Sequence, residues 1–106
     1  MSDQVAAAHI LLMYAGSERS TASRSKDEAQ QQIDEIRQQV EGGGDFGQLA
    51  QKHSDCPSGK DGGSLGSFGR GQMTKVFEDS AFSLPVGGTS GVVETEFGYH
   101  LIQRTG

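Results

Sequence analysis

From Gly62 to Phe77 the chain runs Gly-Gly-Ser-Leu-Gly-Ser-Phe-Gly-Arg-Gly-Gln-Met-Thr-Lys-Val-Phe, and no other stretch limits the fold as strongly. Glycine has no Cβ and readily takes backbone conformations closed to other residues, so this segment must turn tightly instead of forming one long regular element. Three large apolar side chains, Leu65, Met73 and Phe77, are spaced through it. Glycine-rich loops often cradle phosphate, but neither G-x-x-x-x-G-K-[ST] nor a strand-to-helix G-x-G-x-x-G is present. A loop that sets Leu, Met and Phe among glycines reads as the frame of an apolar pocket.

The rest of the composition fits one small domain. A chain of 106 residues, 33% hydrophobic and with 16 glycines, can bury a single compact core between many loops, so residues 1–106 are expected to form one domain. The net charge of -5 gives no broad basic face for nucleic acid. A local exception is the basic island of Arg19, Arg24 and Lys26, opposed by Glu18. The N-terminal Met-Ser-Asp-Gln-Val is unlike a signal peptide, and no apolar run is long enough to span a membrane. One cysteine allows no internal disulfide. A cytoplasmic monomer without membrane contact is therefore expected.

Val5 to Met13, a nearly continuous apolar run with His9 at its middle, predicts a buried strand. Tyr14 to Ser25 is small, polar and serine-rich, and predicts a flexible loop. In Lys26 to Glu41 the period becomes helical, with Ala29, Ile33, Ile36 and Val40 on one face. Ser25 and Glu28 suit a capping box, and Gly42-Gly43-Gly44 a stop. Asp45 can cap a second helix presenting Phe46, Leu49 and Ala50, which should end near His53 ahead of Pro57.

A short strand over Leu65 to Phe68 is expected next, then a helix over Gln72 to Phe82 that puts Met73, Phe77 and Ala81 at four-residue spacing. Ser83 to Gly88 reads as a turn. Gly91 to Thr95 and Tyr99 to Arg104 are strand candidates joined through Glu96-Phe97-Gly98. The expected architecture is α+β: a mostly antiparallel sheet of about four strands, covered by helices, in the order β-α-α-β-α-β-β.

Polar groups in or beside apolar segments are the candidates for chemistry: His9, Cys56, Thr95 and His100. A Cys-His nucleophilic hydrolase would need an orienting third group and local motifs that are absent. A zinc site would need closely spaced ligand pairs, which His9, Cys56 and His100 do not supply. Rotation about an X-Pro bond makes no such demands. Its barrier of roughly 20 kcal/mol comes from lost amide resonance. An apolar socket that grips the proline ring and favours the twisted amide would lower it without a metal or a strong base.

At several points along its length the chain resembles the parvulins, small peptidyl-prolyl cis/trans isomerases. The matching residues are Ala8-His9-Ile10-Leu11-Leu12, Asp45-Phe46-Gly47-Gln48-Leu49-Ala50 and His53-Ser54-Asp55-Cys56-Pro57-Ser58. They continue with Gly62-Gly63-Ser64-Leu65-Gly66-Ser67-Phe68, Gly71-Gln72-Met73, Phe77-Glu78-Asp79-Ser80-Ala81-Phe82 and Phe97-Gly98-Tyr99-His100-Leu101-Ile102. These segments cover nearly the whole chain in the family's order. Taken singly, the histidines, Cys56, Met73 and Phe77 read as ordinary core residues. Their joint placement carries the resemblance.

The resemblance implies a parvulin-like fold, isomerase activity on X-Pro peptides and flexible proteins, and no cofactor or metal. His9 and His100 would be the paired core histidines, and Thr95 the hydroxyl in their hydrogen-bond network. Cys56 would lie beside the susceptible amide. Leu65, Met73 and Phe77 would form the walls gripping the ring, with Phe97 closing one side where some members carry a small polar residue. Some parvulins have Asp at the Cys56 position, which argues against an obligatory thiol nucleophile and for an electrostatic role. For His9 and His100 both a catalytic and a structural role fit.

One parvulin branch selects phosphoSer/Thr before proline through a basic cluster in the loop after the first strand. Here Met13 stands where that branch would place lysine, and only Arg19, Arg24 and Lys26 are scattered nearby. A phosphate needs several convergent donors. Broad preference before proline is therefore expected, with phosphate-directed isomerisation as one alternative. A proline-peptide-binding or chaperone module with little catalysis is the other.

Overall fold

The computed structural model describes residues 4–17 and 24–106. The elements are β1 (Gln4–Leu12), α1 (Lys26–Glu41), α2 (Phe46–His53), a 3₁₀ turn (Pro57–Asp61), β2 (Ser64–Gly69), α3 (Lys75–Ser83), β3 (Val93–Thr95) and β4 (Gly98–Arg104). The strands form one antiparallel four-stranded sheet in the order β2-β1-β4-β3. The sequence order β-α-α-β-α-β-β is the expected one, with the 3₁₀ turn as an addition.

β1 is apolar apart from Gln4 and His9 because both of its faces are covered. Ala8, Ile10 and Leu12 point to one face with Tyr99 and Leu101 of β4, where Ala29, Ile33 and Ile36 of α1 and Phe46 and Ala50 of α2 meet them. Val5 and Ala7 point to the other, with Ile102 of β4, Phe68 of β2 and Phe77 and Ala81 of α3. Side chains alternate along a strand. His9 therefore falls on the α3 face, and so does His100, two residues before Ile102.

The caps act as their sequences suggest. Ser25 Oγ accepts from Glu28 N while Glu28 returns a bond to Ser25 N, a complete capping box. Asp45 accepts from Gln48 N at the start of α2. The Gly42-to-Gly44 stop ends α1 as its residues suggest, with Gly43 at φ 101.

Beyond Ala8, β1 outruns its partner β2, and its exposed edge would hold unpaired backbone groups. The chain between α2 and β2 fills that gap. Gly63 O accepts from His9 N at 2.9 Å, Ser54 Oγ from Leu11 N at 3.1 Å and Asp55 Oδ2 from Met13 N at 2.9 Å, while Asp55 N donates to Leu11 O at 2.7 Å. This pairing brings Cys56 alongside β1. It also explains Gly63: with φ +83, a Cβ there would lie 2.3 Å from His9 O.

Some boundaries differ from expectation for local reasons. Helix α3 begins at Lys75, not Gln72, because Gln72 Oε1 accepts from Gly69 N at 2.8 Å and holds a loop. Met73 therefore precedes the helix, and its closeness to Phe77 is not an i, i+4 helical contact. The strand expected from Gly91 starts at Val93, since Ser90 already bonds Ile102 from outside the regular ladder. β1 ends at Leu12, one residue before Met13. Half of the loop expected to be flexible, residues 18–23 including Arg19, lies outside the described residues.

Candidate active site

β1 and β4 are neighbours, and their register sets Leu11 opposite His100 and His9 opposite Ile102. The two histidines are thus diagonal neighbours on one face. Their rings stack at 5.3 Å between centroids, and Nδ1 of one lies 3.1 Å from Nδ1 of the other. His100 Nε2 lies 2.7 Å from Thr95 Oγ1, which also accepts from Phe97 N at 3.2 Å. Phe77 meets both imidazoles edge to face at 5.5 Å.

Burial keeps this pair neutral. Desolvation lowers His9 from 6.5 to about 4, and desolvation together with the neighbouring His9 lowers His100 to about 3. An Nδ1–Nδ1 contact needs one donor and one acceptor, so the two rings hold opposite tautomers. His9 Nε2 is buried and has no hydrogen-bond partner among the described residues. A bare lone pair is the cheaper group to leave unpaired, which makes His9 Nδ1–H the donor to His100 and His100 Nε2–H the donor to Thr95. The Thr95 O–H is then free to face the cavity.

That cavity has a volume of about 380 Å³, and all eight residues singled out from the sequence line it. His9, His100 and Thr95 form its polar back, with Phe77 packed against them. Leu65 reaches it through a bulge: Ala7 pairs with Gly66 and Ala8 with Ser64, leaving Leu65 as the extra residue between them. Met73 arrives on the loop that Gln72 and Glu78 hold, the buried Glu78 carboxylate accepting from Gly71 N and Arg70. Phe97 closes the wall from the β3–β4 turn, whose tightness needs Gly98: a Cβ there would lie 2.3 Å from Leu12 O.

Cys56 lines the cavity from the start of the 3₁₀ turn. Its Sγ accepts from Ser58 Oγ at 3.1 Å and its N donates to Ser54 Oγ at 3.3 Å. Ser54 thus ties Cys56 and Leu11 together through one oxygen. Among the described residues no group of three His, Cys, Asp or Glu is placed to hold a metal ion.

Four further residues line the cavity beyond those eight: Leu11, Met13, Asp55 and Thr74. The first two were legible in principle, since a period of two from His9 leads to positions 11 and 13. Asp55 depends on the pairing of the α2–β2 connection with β1, which no local pattern announces.

An apolar cavity backed by neutral, hydrogen-bonded histidines on a four-stranded α+β scaffold is the arrangement expected of a parvulin-type domain. The family model described as the PPIC-type PPIase domain matches residues 1–106. The chain is 41% identical over 116 residues to a peptidyl-prolyl cis-trans isomerase Pin1 of Digitalis lanata, covering 99% of this chain and 98% of that one. It is 42% identical over 114 residues to a protein of the same name from Arabidopsis thaliana, covering 97% and 96%. The peptidyl-prolyl isomerase ESS1 from Candida albicans superposes with a TM-score of 0.90 at 37% identity, over 98% of this chain and 63% of that longer one. This chain belongs to the parvulin, or PPIC-type, family of peptidyl-prolyl cis/trans isomerases.

Among the described residues no helix is long and apolar enough to cross a membrane.

Proposed function

We propose that the chain accelerates cis/trans rotation about X-Pro bonds in peptides and flexible protein segments, by gripping the proline ring and stabilising the twisted amide. The observation that carries this reading is that the apolar walls Leu65, Met73 and Phe77 and the His9–His100–Thr95 network line one cavity. The planar amide owes much of its stability to charge-separated resonance, with a partly negative oxygen and partly positive nitrogen. Twisting removes that separation. A water-poor cavity lined by apolar groups and neutral imidazoles stabilises the planar dipole less than water does, so it favours the twisted form in relative terms.

In this scheme Leu65, Met73 and Phe77 hold the ring and Phe97 limits where it can go. Cys56 acts electrostatically beside the carbonyl, forming no covalent bond, and its thiol is oriented by the hydroxyl of Ser58. His9 and His100 keep the back wall neutral and fixed, and Thr95 holds the outer imidazole nitrogen. No cofactor takes part. The net charge of -5 and the lone cysteine support a cytoplasmic monomer that acts on proteins, without nucleic acid or membrane. One sheet with a core on each face supports residues 1–106 working as a single domain.

The test is catalysed isomerisation of short peptides with Ala-Pro, Glu-Pro and phosphoSer-Pro, using the intact chain and its Phe77→Ala and Cys56→Ala variants. Acceleration of Ala-Pro is expected, with a large loss from Phe77→Ala and a smaller one from Cys56→Ala. Saturable binding with no acceleration would leave only a peptide-binding or chaperone module. A large excess rate for phosphoSer-Pro would establish the phosphate-directed alternative.

A further inference from the structure

We propose that the Arg24–Asp55 pair, fastened to the backbone of Met13, sets the substrate class of this site by admitting apolar, neutral or basic residues before proline and turning away carboxylates and phosphates. This rests on the isomerase reading above and concerns lining residues other than those assigned to the ring socket.

Those residues are Met13, Asp55 and Cys56. Met13 continues the His9–Leu11 face of β1 and gives the rim an apolar side chain. Asp55 is the one charged side chain lining the cavity among the described residues. Arg24 stands behind it, with Nη1 donating to Met13 O at 2.9 Å and to the Asp55 carboxylate. The pair is about three-quarters buried, at 24% and 29% side-chain exposure, so the two charges hold each other strongly.

Asp55 cannot swing aside to release Arg24. Its N–H is bound to Leu11 O at 2.7 Å, and its Oδ2 also accepts from Met13 N at 2.9 Å. Among the described residues the next cation along the chain, Lys26, is turned away onto Glu94 at 3.0 Å, and Glu94 also accepts from the Tyr14 hydroxyl at 3.4 Å. An anionic side chain entering here meets a carboxylate first. To take Nη1 of Arg24 it must break a pair that three further bonds keep in place. A neutral side chain finds Met13, and a basic one finds Asp55.

The experiment compares kcat/KM for Glu-Pro, Ala-Pro and Lys-Pro peptides in the wild-type chain, Asp55→Asn, Arg24→Gln and the double variant. Asn keeps an acceptor for Met13 N while removing the charge that occupies Arg24. Asp55→Asn is expected to raise the Glu-Pro to Ala-Pro ratio about tenfold, the size expected for one unit charge removed a few ångströms away in a half-solvated site. Adding Arg24→Gln should cancel that gain, and Arg24→Gln alone should lower the ratio by leaving Asp55 unopposed. A ratio unchanged within about twofold in Asp55→Asn, or a gain that survives in the double variant, overturns the proposal.

Should Asp55→Asn not fold, the wild-type ratio measured from about 0.01 M to about 0.5 M salt serves instead, because charge exclusion is screened. Exclusion predicts a ratio that climbs with salt, and a flat response overturns it. Failure of the isomerase reading is separately visible, as no acceleration of Ala-Pro by the wild-type chain.

Discussion

Lowering the pH from 7 to 5 should destabilise this fold mainly through His9 and His100, which are each only 5% exposed. In the unfolded chain both titrate at 6.5, whereas in the folded chain burial holds them at about 4 and about 3. Because both folded values are depressed, the unfolded chain takes up protons first. Stability is fully present above 6.5, falls as pH drops below it, and the loss saturates only near the folded values. At pH 5 the unfolded chain gains about 2 kcal/mol per histidine, or roughly 4 kcal/mol for the pair. That is a large share of the ~5–15 kcal/mol typical of a domain.

Urea unfolding at pH 7, 6 and 5 measures this directly, provided the m-value stays constant. His53 also titrates in this range, its pKa lowered by burial and by Lys52 and Arg24, so the series belongs in a His53→Gln background. Glu28 and Glu94 are held below their usual range by Ser25 and by Lys26, so they add their own losses near pH 4 and below. His9→Asn and His100→Asn isolate the pair: each should remove about half of the fall between pH 7 and pH 5. A His53→Gln protein as stable at pH 5 as at pH 7, within about 1 kcal/mol, would refute the buried neutral pair.

Further outcomes follow from the packing. Gly63→Ala should cost more than about 2 kcal/mol, since it combines positive φ with a clash against the β1 backbone, and chemical denaturation checks this. A cost under about 0.5 kcal/mol would mean that the connection does not lie so close to His9. Glu78→Ala should raise KM several-fold with less effect on kcat, because it frees the loop that carries Met73. Glu78→Gln, which still accepts from Gly71 N, should restore most of the binding. In nitrogen NMR, His9 should carry its proton on Nδ1 and His100 on Nε2, and the reverse pattern would overturn the tautomer assignment.

Much of the scaffold was legible in the chain because it depends on local rules. The Ser25–Glu28 capping box, the Asp45 cap and the apolar stripe of α1 are short-range patterns whose energetics hardly depend on the rest of the fold. Helix α3 was misplaced at its start for the opposite reason: Gln72 bonds Gly69 across a turn, a competing partner that helical periodicity does not register. Leu65 stands out among glycines by its size, yet a strand without the bulge would point it away from the cavity.

By itself, then, the sequence determined the elements, the two-sided burial of β1 and the set of residues that resemble an isomerase site. The tertiary structure decided what those residues experience. His9 and His100 became a neutral pair only because β1 and β4 are adjacent, in a register that sets the rings one diagonal apart under Phe77. Asp55 and Arg24 became a rim only because β1 outruns β2 and its edge groups draw in the α2–β2 connection. Both are long-range effects of backbone pairing and desolvation, which depend on which segments meet in space and leave no periodic trace along the chain.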